Sequence, residues 1–134
     1  MSSFTTYLEA AILNHVFRNV ALTSPATIYL ALFTSAPTDA GGGTEVSGSG
    51  YARQVIAFDA PAADPADATR QAVLNSAAIP FVTTHDPVVS VVAYGLFDAA
   101  TLGNMLTWAP IPASDLGVNA EVRVDPSKIK QALS

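Results

Sequence analysis

The chain has 134 residues, with six Lys and Arg against eleven Asp and Glu and a formal net charge of −5. Half of the residues are hydrophobic and only 13% are charged, about half the usual charged fraction of a soluble domain. This excludes a disordered chain and a nucleic-acid surface, which needs clustered Lys and Arg. With no cysteine, a disulfide framework, a thiolate metal site and a cysteine nucleophile are excluded as well.

The length fits a single domain, 1–134. The longest apolar runs, Ile28–Phe33 and Val88–Phe97, are shorter than the ~18 residues a membrane span needs, so no membrane insertion is expected. The first residues lack a basic stretch and include Glu9, unlike a secretory signal. So little charge on a small domain also points to surface hidden against partners, hence to an oligomer or a larger assembly.

In chain order, residues 6–19 read as a helix. Thr6 and Glu9 have the spacing of a capping box, in which hydroxyl and carboxylate each satisfy an orphan backbone donor. Leu8, Ile12, Val16 and Val20 recur at helical spacing, widened by Leu13 and Phe17, and Ser24-Pro25 ends the run. Such a stripe is expected to pack on the core; the competing reading is a helix that docks a neighbouring subunit.

Thr27–Thr34 (TIYLALFT) is β-branched, aromatic and apolar on both faces, the mark of a central or covered strand. Ser35–Gly50 holds five of the eight glycines and reads as a long loop without periodicity. It lacks a P-loop lysine, and Asp39 and Glu45 would repel phosphate. Tyr51–Phe58 reads as a strand with Tyr51, Arg53, Val55 and Ala57 on one face. Asp59–Arg70 reads as a surface loop whose Asp59, Asp64 and Asp67 are solvated and lack calcium-loop spacing.

Gln71–Phe81 is expected to give one or two strands about Asn75-Ser76, and Val82–Pro87 a turn. Val88–Asp98 reads as a long strand in which Gly95 marks a bulge or a close backbone approach. Ala99–Asn104 reads as a hairpin-type turn, Met105–Ile111 as a strand, Ala113–Gly117 as a connection and Asn119–Val124 as the last strand. Residues 125–134 form a tail that ends freely or adds a short helix. The sum is a mainly β fold: an antiparallel β-sandwich or barrel of six to seven strands over 27–124, with one N-terminal α-helix.

Catalytic chemistry finds few candidates. His15 lies within the helix, and His85 lies in a turn beside Thr83, Thr84 and Asp86, but sequence neighbours on a turn seldom point at one another, and no G-x-S-x-G elbow exists. Two separated histidines do not make a metal set. The chain is therefore expected to be no enzyme and to hold no cofactor or metal. Tyr7, Tyr29, Tyr51, Tyr94 and Trp108 lie in separate elements, which favours core or interface anchors over a sugar platform.

The stretches TYLEAAILNHVFRN, SPATIYLALFTSAPTDAGGGTEVSGSGYARQ, LNSAAIPF and YGLFDAATLGNMLTWAPI together resemble a family of small tailed-bacteriophage virion proteins, commonly labelled tail fibre or minor structural proteins. The family's pattern falls on Tyr29–Thr34, Thr44–Gly48, Tyr51–Gln54 and Gly95–Asn104, and the likeness runs from Thr5 to about Ile111. The tail after Asn119 departs from the family's strand-rich ending.

The resemblance implies a non-enzymatic structural protein of the virion, assembled in the host cytoplasm, with other capsid or tail proteins as partners and with homo-oligomers. A capsid decoration or cement role is favoured, because the chain lacks the repeats of a long fibre shaft. The alternative is a tail-associated fibre or adaptor, including a host-glycan-binding module. The glycine-rich loop costs backbone entropy to order, which a partner would offset by burying Val46. Thr44, Glu45, Val46, Tyr51 and Arg53 are therefore the candidate assembly contacts.

Overall fold

A computed structural model describes residues 3–81, 85–118 and 120–133. The elements are β1 (Ser3–Phe4), α1 (Thr6–Phe17), β2 (Ile28–Ser35), β3 (Thr44–Glu45), β4 (Gln54–Ile56), β5 (Ala62–Asp64), β6 (Asp67–Leu74), β7 (Ile79–Pro80), β8 (Val89–Phe97), β9 (Met105–Leu116), β10 (Arg123–Val124) and β11 (Lys130–Leu133). The fold is mainly β with one N-terminal helix, as expected.

The main sheet runs β1-β9-β8-β2-β3, with β4 also on β2, and all its pairs are antiparallel. Two smaller sheets, β10-β7 and β11-β6-β5, complete the layers, and the main sheet does not close into a barrel.

Alternation explains why β2 is central. Leu30 and Leu32 face one side and join Val91, Tyr94, Leu96, Leu116, Phe81 and Ile129 in the principal core. Ala31 and Phe33 face the other side and join Ala93, Phe97 and Met105, with Trp108 packed against them. Both faces are thus covered, which is what the apolar run TIYLALFT requires. Gly95 sits where these strands crowd: a Cβ there would lie 3.1 Å from Met105 Sδ and 3.1 Å from the Phe33 ring. The close-approach reading of this glycine therefore holds, and a register shift lies two residues further on, between Leu96 and Phe97.

Several boundaries differ from the sequence reading, each for a tertiary reason. The cap of α1 is Thr5, not Thr6: its backbone is extended, and its Oγ1 accepts the Leu8 amide at 3.3 Å. The same hydroxyl is held by the Met105 carbonyl, to which it donates at 2.6 Å. The helix ends at Phe17, short of 19, because Asn19 turns left-handed at φ 55°.

The loop expected over 35–50 is folded in part. Thr44–Glu45 pairs with β2, and Val46 donates its amide to the Leu32 carbonyl at 2.9 Å. Within the surface loop expected over 59–70, residues 62–70 belong to the β5–β6 hairpin, exposed for the most part but with Asp64 buried. β9 continues through the expected connection to Leu116, and the register shift between Val91 and Ala93 absorbs its extra residues around Pro112. The tail neither ends freely nor coils: β11 pairs with β6 from Lys130↔Leu74 to Leu133↔Gln71. The last strand shortens to Arg123–Val124. Asn119, Val82, Thr83 and Thr84 lie outside the described residues.

Candidate assembly surface

Of the five candidate contacts, three converge. Glu45 reaches inward from β3, at the edge of β2, while Tyr51 and Arg53 lead into β4 on the same edge. Arg53 grips Glu45 with both arms, Nε to Oε1 and Nη2 to Oε2, each at 2.8 Å. Arg53 Nη1 donates to the carbonyls of Ala99 and Leu102 at 2.9 and 2.8 Å. The guanidinium also lies 3.6 Å above the Phe97 ring centre, a cation–π contact. Only 7% of this side chain is exposed.

The Tyr51 hydroxyl accepts the Leu32 amide at 2.9 Å and donates to Glu45 Oε1 at 3.1 Å, and its ring stacks on Phe81. Burial pushes this phenol well above its ordinary range, and the Glu45 charge adds to the effect. The cluster is a clasp: Arg53 ties Glu45 of β3 to the β8–β9 turn over Phe97 on the second face, while the Tyr51 ring packs on the principal core. Val46 is already buried in the chain's own core, which corrects the expectation that a partner buries it. Thr44 stays exposed on the rim.

The helix presents the larger departure. No residue of α1 is buried, contrary to the expected core-packing stripe. Leu8, Ala11 and Ile12 are half-buried, and the helix lies beside β1 and β9. Its start is fixed to the sheet by the Thr5 contacts and by the Thr6 amide, which donates to the Asp39 carbonyl at 2.9 Å. The Asp39 carboxylate in turn accepts the Trp108 indole N–H at 2.8 Å. Outward stand Tyr7, Leu13 (56% exposed), Val16 (61%) and Phe17 (78%), with Val20 just beyond. The signal was in the sequence. Tyr7, Leu8, Ala10, Ala11, Ile12, Leu13, Val16 and Phe17 surround the helix with apolar groups, more than one buried face can cover.

The remaining polar residues hold the fold. His85 is buried, its ring nitrogens 2.9 Å from the Pro87 carbonyl oxygen and 3.0 Å from that of Ser47. Asn75, about which one or two strands were expected, is buried just past β6 and staples the C-terminal segment. Its Oδ1 accepts the amides of Lys128 and Ile129 at 2.9 and 2.7 Å, and its Nδ2 donates to the Ala77 and Asp125 carbonyls. Asp64, expected in solvent, is fully buried between Arg70 (2.6 Å) and Lys130 (2.8 Å). A cleft of about 790 Å³ opens beside this pair, lined by Glu9, Arg70, Tyr94, Ile111, Lys128 and Lys130 among others. Among the described residues no three His, Asp or Glu converge as metal ligands would, and no helix is long and apolar enough to cross a membrane.

The fold is a mainly β scaffold of open antiparallel sheets, held by internal ion pairs, with a largely exposed apolar helix beside β1 and β9. The chain belongs to the family described as podophage GP4 fiber I protein gp80, which matches it over residues 3–130. No curated protein matches the chain.

Proposed function

We propose that this chain is a non-enzymatic structural subunit of a phage fibre, built into the virion through the outward face of α1. The observation that carries this reading is that helix: twelve residues, none buried, with Leu13, Val16 and Phe17 more than half exposed. Apolar surface of this kind is normally covered in the working form of a protein.

The family description favours a fibre over the capsid-decoration role. The polar clusters support the non-enzymatic part of the reading. Glu45, Tyr51 and Arg53 bind one another and the backbone, and Asp64 separately binds Arg70, so these groups serve the scaffold. The test is to label the protein in intact particles and count it by cryo-electron microscopy. Density on fibres at a few to a few dozen copies supports the reading; hundreds of copies spread over the shell would replace it with decoration.

A further inference from the structure

We propose that His85 is a proton-operated latch: with both ring nitrogens protonated it ties the exposed segment Ser47–Gly50 to the 85–87 turn, and the loss of one proton loosens that segment.

The geometry of the ring carries the inference. Nδ1 lies 2.9 Å from the Pro87 carbonyl oxygen, and Nε2 lies 3.0 Å from the Ser47 carbonyl oxygen. A carbonyl oxygen only accepts, so each nitrogen must bring a proton to make its bond. A neutral imidazole has one N–H and the imidazolium has two. Only the charged ring makes both bonds; the neutral ring leaves a lone pair facing an oxygen. Burial disfavours the charge, since His85 is only 4% exposed, and two charge-assisted bonds act against that cost.

The ionisable groups on the surrounding segments are Asp86 beside it in the chain, Asp115 near the end of β9, and Glu45 and Tyr51 on either side of 46–50. Glu45 is held by Arg53, and the Tyr51 hydroxyl by Glu45 and the Leu32 amide. Asp86 and Asp115 are exposed. Residues 82–84 carry no ionisable side chain. Among the described residues no carboxylate forms an ion pair with the ring, so the two carbonyl oxygens are what hold its second proton.

The two ties are unequal. Pro87 is two residues along, a local contact, whereas Ser47 is 38 residues away. The His85 backbone is fixed from its other side, for a Cβ on Gly117 would lie 2.9 Å from its carbonyl oxygen. The movable side is Ser47–Gly50. All four residues are exposed, and Gly48, Ser49 and Gly50 are left-handed at φ 77°, 47° and 76°, where glycine moves at little cost. Val46 in the core and Tyr51 in the clasp bound the segment. Its other tie to the turn is the Ser49 hydroxyl, which donates to the Asp86 carbonyl at 2.7 Å.

Histidine is the side chain whose charge ordinarily changes between about pH 5 and 8. The Ser47 tie exists only with the second proton, so it is made in acid and lost as pH rises. A segment already fixed loses less freedom when a partner meets it, so acid prepares these four residues for contact.

The test is nuclear magnetic resonance of the full nitrogen-15-labelled chain, with His15→Gln used to assign the His85 ring signals. The ring should carry two N–H protons at pH 5 and one at pH 8. In Ser49→Ala, which lacks the second tie, the order parameters of the 48–50 amides should fall from about 0.85 at pH 5 to below about 0.6 at pH 8, while those of Val46 and Tyr51 hold. The wild type should change in the same sense by less, and His85→Gln should show no such pH dependence. A ring with the same proton count at both pH values overturns the proposal. So does a ring that titrates while the 48–50 amides keep the same mobility in both the wild type and Ser49→Ala.

Discussion

At the scale of single residues, the clasp around Glu45 decides how the second face of the sheet is sealed. Arg53 is almost wholly enclosed and its guanidinium has four acceptors. Arg53→Ala would leave the Glu45 carboxylate with only the Tyr51 hydroxyl as donor and would remove the Arg53 donor from two carbonyls. The expected loss is roughly 1–3 kcal/mol, less than for a fully buried pair because the Glu45 side chain is 26% exposed and keeps the Tyr51 donor, read as a shifted midpoint in urea. Arg53→Lys should recover little of it, since an ammonium cannot serve a carboxylate through two parallel bonds. Tyr51→Phe leaves the Leu32 amide unbonded and should cost about 1–3 kcal/mol.

Asp64 gives the residue scale its pH dependence. Lys130 is the main cause that holds its carboxyl down to about 2, and the Ala66 amide and Arg70 act in the same sense. A depressed folded value means that the carboxylate stabilises the fold above the unfolded value, ~3.9. That contribution is lost as pH falls from about 4 to about 2. Asp64→Asn should lower the melting temperature at neutral pH, because Arg70 and Lys130 lose their shared partner, and should flatten the melting curve's dependence on pH between about 4 and 2. An unchanged acid limb in the variant would show that Asp64 is not the group responsible.

At the scale of elements, α1 is a helix pinned at one end. Thr5 is buried, caps the first turn and holds two β9 carbonyls, while Thr6 is exposed. Thr5→Ala should therefore cost about 1–2 kcal/mol, a strong cap's worth. Thr6→Ala should stay within about 0.5 kcal/mol, as at an ordinary surface position. Thermal melts of the two variants check the order, and equal losses would restore the capping box read from the sequence. The glycine-rich segment is also an element in part: its Gly43 has φ +75°, and a Cβ there would meet the Pro37 nitrogen and the Ser35 carbonyl oxygen at 2.7 Å. Its Glu45 and Val46 belong to the clasp and the core, so shortening it would remove structure and not merely slack.

At the scale of the whole molecule, the sequence by itself determined whatever depends on neighbours along the chain. Apolar runs rich in β-branched and aromatic residues placed β2, β8 and the start of β9, the helical period placed α1, and Ser24-Pro25 stopped the segment that α1 begins. The mainly β class followed from those patterns, and the TEVSG and YAR strings marked the segment that forms the clasp, without saying that its groups bind one another.

Only the tertiary structure decided which distant groups meet. Asp64 finds Lys130 and Asn75 finds Ile129 because β11 returns to β6, and no local period records a return of more than fifty residues. For the same reason the three carboxylates of 59–67 read as solvated although one of them is fully buried. The helix shows the limit most plainly. Its periodicity fixed that it is a helix and that it is apolar, but which side meets protein depends on the sheet edge beside it. That edge accepts Leu8, Ala11 and Ile12 only in part, and leaves Leu13, Val16 and Phe17 exposed.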